Sequence, residues 1–146
     1  MPLPRILIVE DHPTLPSEVQ LALAERCEAE VHVASSPAAA RELVHAFDYA
    51  LVVLDLNLIG GTGFEVLEAV RAMGSRAPRI VVTSAYLPDY VEELMRFYGR
   101  VVTIIPKPVT GEALAASIVA VLETPDWRGD RMPDENPYFS ENRCNC

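Results

Sequence analysis

The chain has 146 residues, half of them hydrophobic, and carries a formal net charge of -9. That is enough apolar material for one domain with a full core, and too much for a disordered chain. The acidic balance argues against direct binding of nucleic acid, which needs clustered Lys and Arg against the phosphate backbone.

In chain order, Ile6-Leu7-Ile8-Val9 is a continuous apolar run that ends in Glu10-Asp11. Such a run predicts a buried strand. Leu15, Val19, Ala22 and Leu23 then recur at helical spacing, so one face of a helix turns inward. Pro16 fits that helix only inside its first turn. A second strand is predicted over Val31–Ala34, and Ser36-Pro37 supplies an N-cap followed by proline at the first helical position. The helix it opens carries Ala40, Leu43, Val44 and Phe47 on one stripe. Leu51–Leu54 is the third strand and ends on Asp55. Gly60-Gly61 give the following loop backbone freedom. Thr62 with Glu65 has the spacing of a capping box ahead of Phe64, Leu67 and Val70. The fourth strand, Ile80–Val82, ends in Thr83-Ser84, and Val91, Leu94, Met95 and Tyr98 predict a fourth helix. Val101–Ile105 is the fifth strand and leads into Pro106-Lys107-Pro108. Thr110 caps a last helix built on Leu114, Ile118, Val121 and Leu122.

Strand and helix thus alternate five times. That order implies parallel pairing with right-handed crossovers, hence an open sheet with helices on both faces, a three-layer α/β/α fold. After Glu123 the periodicity stops. The tail 124–146 contains Pro125, Pro133 and Pro137 and is expected to have no fold of its own. No apolar run approaches the roughly 20 residues of a membrane helix. The N-terminus lacks the long apolar stretch and cleavage site of a secretory signal, so a cytoplasmic location is expected. Cys27 lies alone in a helical stretch, and Cys144 and Cys146 close the chain; these three form no disulfide framework. His12, His32 and His45 fall on a loop, a strand and a helix and form no metal triad. His12 reads as a solvated loop residue.

In an open parallel sheet, sites form beyond the carboxyl ends of the strands. Four of the five strands end there in polar or charged groups: Glu10-Asp11, Asp55, Thr83-Ser84 and Lys107. One aspartate after a strand is usually a turn former, and a lone loop lysine is usually solvated. Three carboxylates, a hydroxyl and an ammonium on one edge need another explanation. Crowded carboxylates repel, and a cation must offset that cost. An oxygen-rich set of this kind suits Mg²⁺.

At these residues the chain resembles a known family. Ile8-Val9-Glu10-Asp11-His12-Pro13, Val53-Leu54-Asp55-Leu56-Asn57, Val82-Thr83-Ser84-Ala85 and Pro106-Lys107-Pro108 together are similar to the motifs of CheY-like receiver domains of bacterial response regulators. The match covers about residues 4–123 and implies a doubly wound, flavodoxin-like sheet of strand order 2-1-3-4-5. The resemblance implies that Asp55 is the phosphoacceptor. It implies Mg²⁺ held by Asp11 and Asp55, by Glu10 through water, and by the backbone carbonyl of Asn57. Thr83 and Lys107 then bind the phosphoryl oxygens, and the peptide before Pro108 is cis. The implied donor is a sensor histidine kinase or a histidine phosphotransfer protein. The implied output is altered binding of a downstream protein, with no direct contact to nucleic acid or membrane, and with self-phosphorylation rather than metabolic catalysis.

Two positions depart from the family's habit. Ile104 stands where an aromatic switch residue is usual, and Ile59 where proline is common. They support a competing reading, a receiver-like interaction module independent of phosphorylation. A third reading, a phosphatase with an aspartyl-phosphate intermediate, is weakened by Asn57, which is a poor proton shuttle two residues after Asp55.

Overall fold

The computed structural model describes residues 3–58, 61–85 and 99–125. Five strands form one parallel sheet: β1 (Arg5–Val9), β2 (Glu30–Ala34), β3 (Leu51–Asp55), β4 (Arg79–Ser84) and β5 (Val101–Pro106). Their spatial order is β2-β1-β3-β4-β5, as expected. Four helices are described: α1 (Leu15–Ala24), α2 (Pro37–Ala46), α3 (Gly63–Arg71) and α4 (Gly111–Glu123). The helix expected on Val91, Leu94, Met95 and Tyr98 lies outside the described residues, as do Ile59, Gly60 and the tail from 126 onward.

The apolar runs are continuous because the sheet is covered on both faces. Successive side chains of a strand point to opposite sides. Ile6 and Ile8 of β1 pack with Val53 of β3 against Val19 of α1 and Ile118 of α4. Leu7 and Val9 pack with Val52 and Leu54 against Val44 of α2 and Leu67 of α3. Every residue of β3 is buried, which fits its place in the middle of the sheet.

The local signals are met in detail. Ser36 Oγ accepts the Ala39 backbone N–H at 3.2 Å, and Thr110 Oγ1 accepts that of Ala113 at 3.0 Å. Glu65 Oε2 accepts the Thr62 N–H at 3.3 Å. Pro16 is buried in the first turn of α1. Two expectations need correction. Phe47 is the extended C-cap of α2 rather than part of its stripe, and its ring sits edge-on to His32, with centroids 4.8 Å apart. Cys27 lies beyond the end of α1, in a turn where its N–H donates to Leu23 O.

Two close contacts tie the layers. At Gly111, the first residue of α4, an added Cβ would lie 2.5 Å from Glu18 Cβ and 2.7 Å from Glu18 C, so α4 meets the backbone of α1 directly. Arg79 is buried at the start of β4, and one guanidinium nitrogen donates to Val121 O (2.7 Å) and Thr124 O (2.9 Å). Those carbonyls belong to the last turn of α4, where a helix leaves acceptors unsatisfied.

Candidate functional site

Strands β2 and β3 flank β1 on opposite sides, so chain connections leave β1 and β3 in opposite directions. A crevice forms at such a switch point, beyond the strand ends. Glu10 follows β1 and Asp55 closes β3, while Val9 pairs with Leu54 and Asp55 with Thr83. The register therefore brings the polar ends of three neighbouring strands level.

One carboxylate oxygen from each of Glu10, Asp11 and Asp55 lies within 4.8 Å of the others. Glu10 is 4% exposed and Asp55 3%, whereas Asp11 is half-buried. Lys107 reaches in from the end of β5. Its Nζ donates to both oxygens of Glu10, at 2.8 and 2.7 Å, and to Asp55 Oδ2 at 3.1 Å. The peptide between Lys107 and Pro108 is cis, as the resemblance implied. Asp55 Oδ1 accepts the Asn57 backbone N–H at 2.9 Å. The two oxygens of Asp55 thus have separate partners.

Electrostatics follow from two buried acids sharing one ammonium, with Asp11 beside them. Burial pushes the Glu10 carboxyl above the usual carboxylate range; Lys107 pulls it down, and the charge of Asp55 pushes it up again. For Lys107, burial favours the neutral amine. Hydrogen bonds to Glu10 and Asp55, and their charges, outweigh that and hold the lysine pKa above its ordinary value. Both groups shift toward keeping their protons, Glu10 chiefly because it is buried and Lys107 because it is bound to two carboxylates.

Thr83 is 1% exposed, and among the described residues its Oγ1 is buried without a hydrogen-bond partner. Such an orphan costs about 1–3 kcal/mol unless something arrives to satisfy it. An incoming anionic oxygen fits that need, and the carboxylate set fits a hard, oxygen-seeking cation. Gly63 lets α3 begin against the site: a Cβ there would stand 2.6 Å from the carbonyl oxygen of Asp55.

Glu10, Asp11, Asp55, Thr83 and Lys107 lie at the strand ends of this rim, with Asn57 in the loop that follows β3, and Glu10, Asp11, Asp55 and Lys107 converge on one another. Three contributions were not foreseen. Lys107 binds Glu10 more closely, at 2.7 Å, than it binds Asp55, at 3.1 Å. His12 is exposed, yet its Nδ1 accepts the backbone N–H groups of Thr14 and Leu15, both at 3.2 Å, so it caps the entry to α1. Ser84 Oγ accepts a hydrogen bond from Asn57 Nδ2 at 3.1 Å. For Ser84 the available signal was the second hydroxyl in Thr83-Ser84; for His12 no spacing rule points to a ring nitrogen as cap. Ile104 is partly buried and packs against the core on the α2/α3 side.

Fold and rim together define a CheY-like α/β receiver. The chain belongs to the response regulator receiver domain family, whose model matches residues 6–119. It is therefore a receiver of two-component signalling, a signalling protein rather than a metabolic enzyme. Members of this family typically bind Mg²⁺. The chain is similar to the transcriptional regulatory protein TctD of Salmonella typhimurium, with 33% identity over 119 residues, covering 81% of this chain and 51% of that protein. It spans about half the length of the curated relatives it matches. Among solved structures, the signal receiver domain of a putative Luxo repressor protein from Vibrio parahaemolyticus has a TM-score of 0.73 at 19% identity, covering 84% of this chain and 92% of that one. TrrA from Thermotoga maritima, solved in complex with Mg²⁺-BeF, has a TM-score of 0.65 at 24% identity, covering 82% and 99%. These two likenesses show the fold. Among the described residues, no helix is long and apolar enough to cross a membrane.

Proposed function

We propose that the unit 4–123 takes a phosphoryl group onto Asp55 from a phosphohistidine and thereby changes its affinity for a partner protein. The observation that carries this is the convergence of Glu10, Asp11, Asp55 and Lys107, beside a buried hydroxyl that lacks a partner. The donor is a sensor histidine kinase or a histidine phosphotransfer protein. Asp55 attacks phosphorus as its carboxylate, so no base is needed. One bond forms between an Asp55 oxygen and phosphorus as the bond from phosphorus to the donor imidazole breaks. The electron pair leaves with the imidazole nitrogen, and the product is an acyl phosphate.

Asp11, Asp55, the carbonyl of Asn57 and, through water, Glu10 are the residues that would hold Mg²⁺. Bound there, the cation supplies charge that neutralises the phosphoryl oxygens. Lys107 shares that task, exchanging part of its hold on the carboxylates for a phosphoryl oxygen. Thr83 donates to an oxygen present only after transfer. That contact differs between the two states, which is the condition for shifting a conformational equilibrium. With Ile104 packed on the core, the readout is assigned to displacement of Thr83 and the β4–β5 ends rather than to an aromatic swing.

Incubation with acetyl phosphate and Mg²⁺ tests the reading. The intact mass should rise by one phosphoryl group, and the gain should vanish in Asp55→Asn and in EDTA. Absence of labelling with acetyl phosphate and with a phosphorylated histidine phosphotransfer protein would leave the phosphorylation-independent interaction module as the better account.

A further inference from the structure

Asn57 makes two contacts with different tasks. Its backbone N–H holds Oδ1 of Asp55 at 2.9 Å, and its side-chain amide donates to Ser84 Oγ at 3.1 Å. Ser84 is the last residue of β4 and is 1% exposed, whereas Asn57 is exposed overall. The fixed end of this contact is therefore Ser84. Ser84 is held in turn by the sheet: it pairs with Pro106 of β5, and its carbonyl accepts the Lys107 N–H at 2.8 Å. One residue thus touches both the segment that aims Asp55 and the segment that carries Lys107.

We propose that Ser84 is a positioning residue of this site, acting through Asn57. It rests on the reading of Asp55 as phosphoacceptor. The loop after Asp55 leaves the sheet at Leu56, whose N–H donates to Thr83 O at 3.1 Å, and its next anchor toward β4 is the bond from Asn57 to Ser84. With that bond in place, Asn57 cannot rotate without breaking a contact to a buried, immobile hydroxyl. Its N–H stays on Oδ1, Oδ2 stays on the Lys107 side, and its carbonyl stays at the rim. Without the hydroxyl, the exposed Asn57 amide loses its anchor to β4, and the residue is held through its backbone alone, by its pairing with Thr62 and its bond to Asp55. The orientation of Asp55 and the carbonyl offered to a divalent cation then loosen together.

The test uses Ser84→Ala, Ser84→Thr, Asn57→Ala and the double variant Ser84→Ala/Asn57→Ala in the full chain. Two readouts need no phosphoryl transfer: Mg²⁺ affinity by calorimetry, and amide hydrogen exchange at residue 57 in metal-free buffer. Loss of one neutral hydrogen bond, worth about 1 kcal/mol, corresponds to an about fivefold change. Mg²⁺ affinity should fall, and exchange at residue 57 should rise, about fivefold in Ser84→Ala. Asn57→Ala should lose Mg²⁺ affinity similarly, the double variant should lose no more than either single one, and Ser84→Thr should regain most of the loss. Wild-type values in both Ser84→Ala and Asn57→Ala, or additive losses in the double variant, would overturn the proposal. If the wild type binds Mg²⁺ but never labels, the phosphoacceptor reading fails, while the calorimetric and exchange data still decide the role of Ser84.

Discussion

Replacing Lys107 by methionine keeps much of the side chain's length and removes its charge. At 2.7 and 3.1 Å, with an effective dielectric of about 20, Lys107 attracts Glu10 and Asp55 by about 6 and 5 kcal/mol before desolvation is counted. Each carboxylate pair within 4.8 Å repels by at least about 3 kcal/mol on the same scale. Desolvation of the buried ions cancels much of the attraction, and losing one partner of a buried pair typically costs about 3–5 kcal/mol net. Lys107→Met should therefore lose about 3–5 kcal/mol in urea unfolding followed in EDTA. Mg²⁺ should restore more stability to the variant than it adds to the wild type, about 2–3 kcal/mol at a hundredfold excess over its Kd. The pH dependence has a definite sign. Glu10 has a raised pKa in the fold, so the native state holds a proton that the unfolded chain releases. Stability falls as pH rises through the interval between the ordinary glutamate value and the folded one. Without Lys107 that interval extends upward, so the variant's deficit should shrink as pH is lowered from about 8 to about 5.5. A variant as stable as the wild type in EDTA at about pH 8 would refute the claim that Lys107 offsets the repulsion among these acids.

Other perturbations follow from single contacts. Gly63→Ala sets a methyl group against the Asp55 carbonyl oxygen, a backbone atom with little room to move; thermal unfolding should show a loss of about 1–3 kcal/mol, and acetyl phosphate labelling should slow as Asp55 shifts. Arg79→Met removes the guanidinium from two carbonyls at the end of α4; a loss of about 2 kcal/mol is expected, with amide exchange rising first in the last turn of that helix. Burial, aided by the charge of Glu123, raises the Cys27 thiol pKa; alkylation of the Cys27 peptide at mildly alkaline pH should be slower in the folded protein than in urea, as followed by mass spectrometry.

The fold could be read from the sequence because most strands of the sheet carry an unbroken apolar run, the pattern of two-sided burial, while the edge strand β2 is interrupted by His32. The rim could be read because chemistry was concentrated at the ends of those runs, where parallel sheets place their sites. What the sequence concealed depends on exact geometry. Phe47 continues the apolar spacing of α2, yet the chain turns extended there and its ring finds His32 instead. Arg79 resembles an ordinary strand-entry residue until its distance to the end of α4 is known. The closer hold of Lys107 on Glu10 than on Asp55 is a difference of a few tenths of an ångström, which no spacing encodes.

The glycine at residue 111 has a consequence for how the rim is supported. Helix α1 starts four residues after Asp11, and α4 starts four residues after Lys107. Because α4 begins against the backbone of Glu18, the two loops that bring an acid and a base to the rim share one footing. A side chain at residue 111 would press the first turn of α4 against α1, on the helix that leads back to Asp11. The acidic and basic arms of the rim are therefore braced on one contact behind the site, through atoms outside the carboxylate and ammonium cluster.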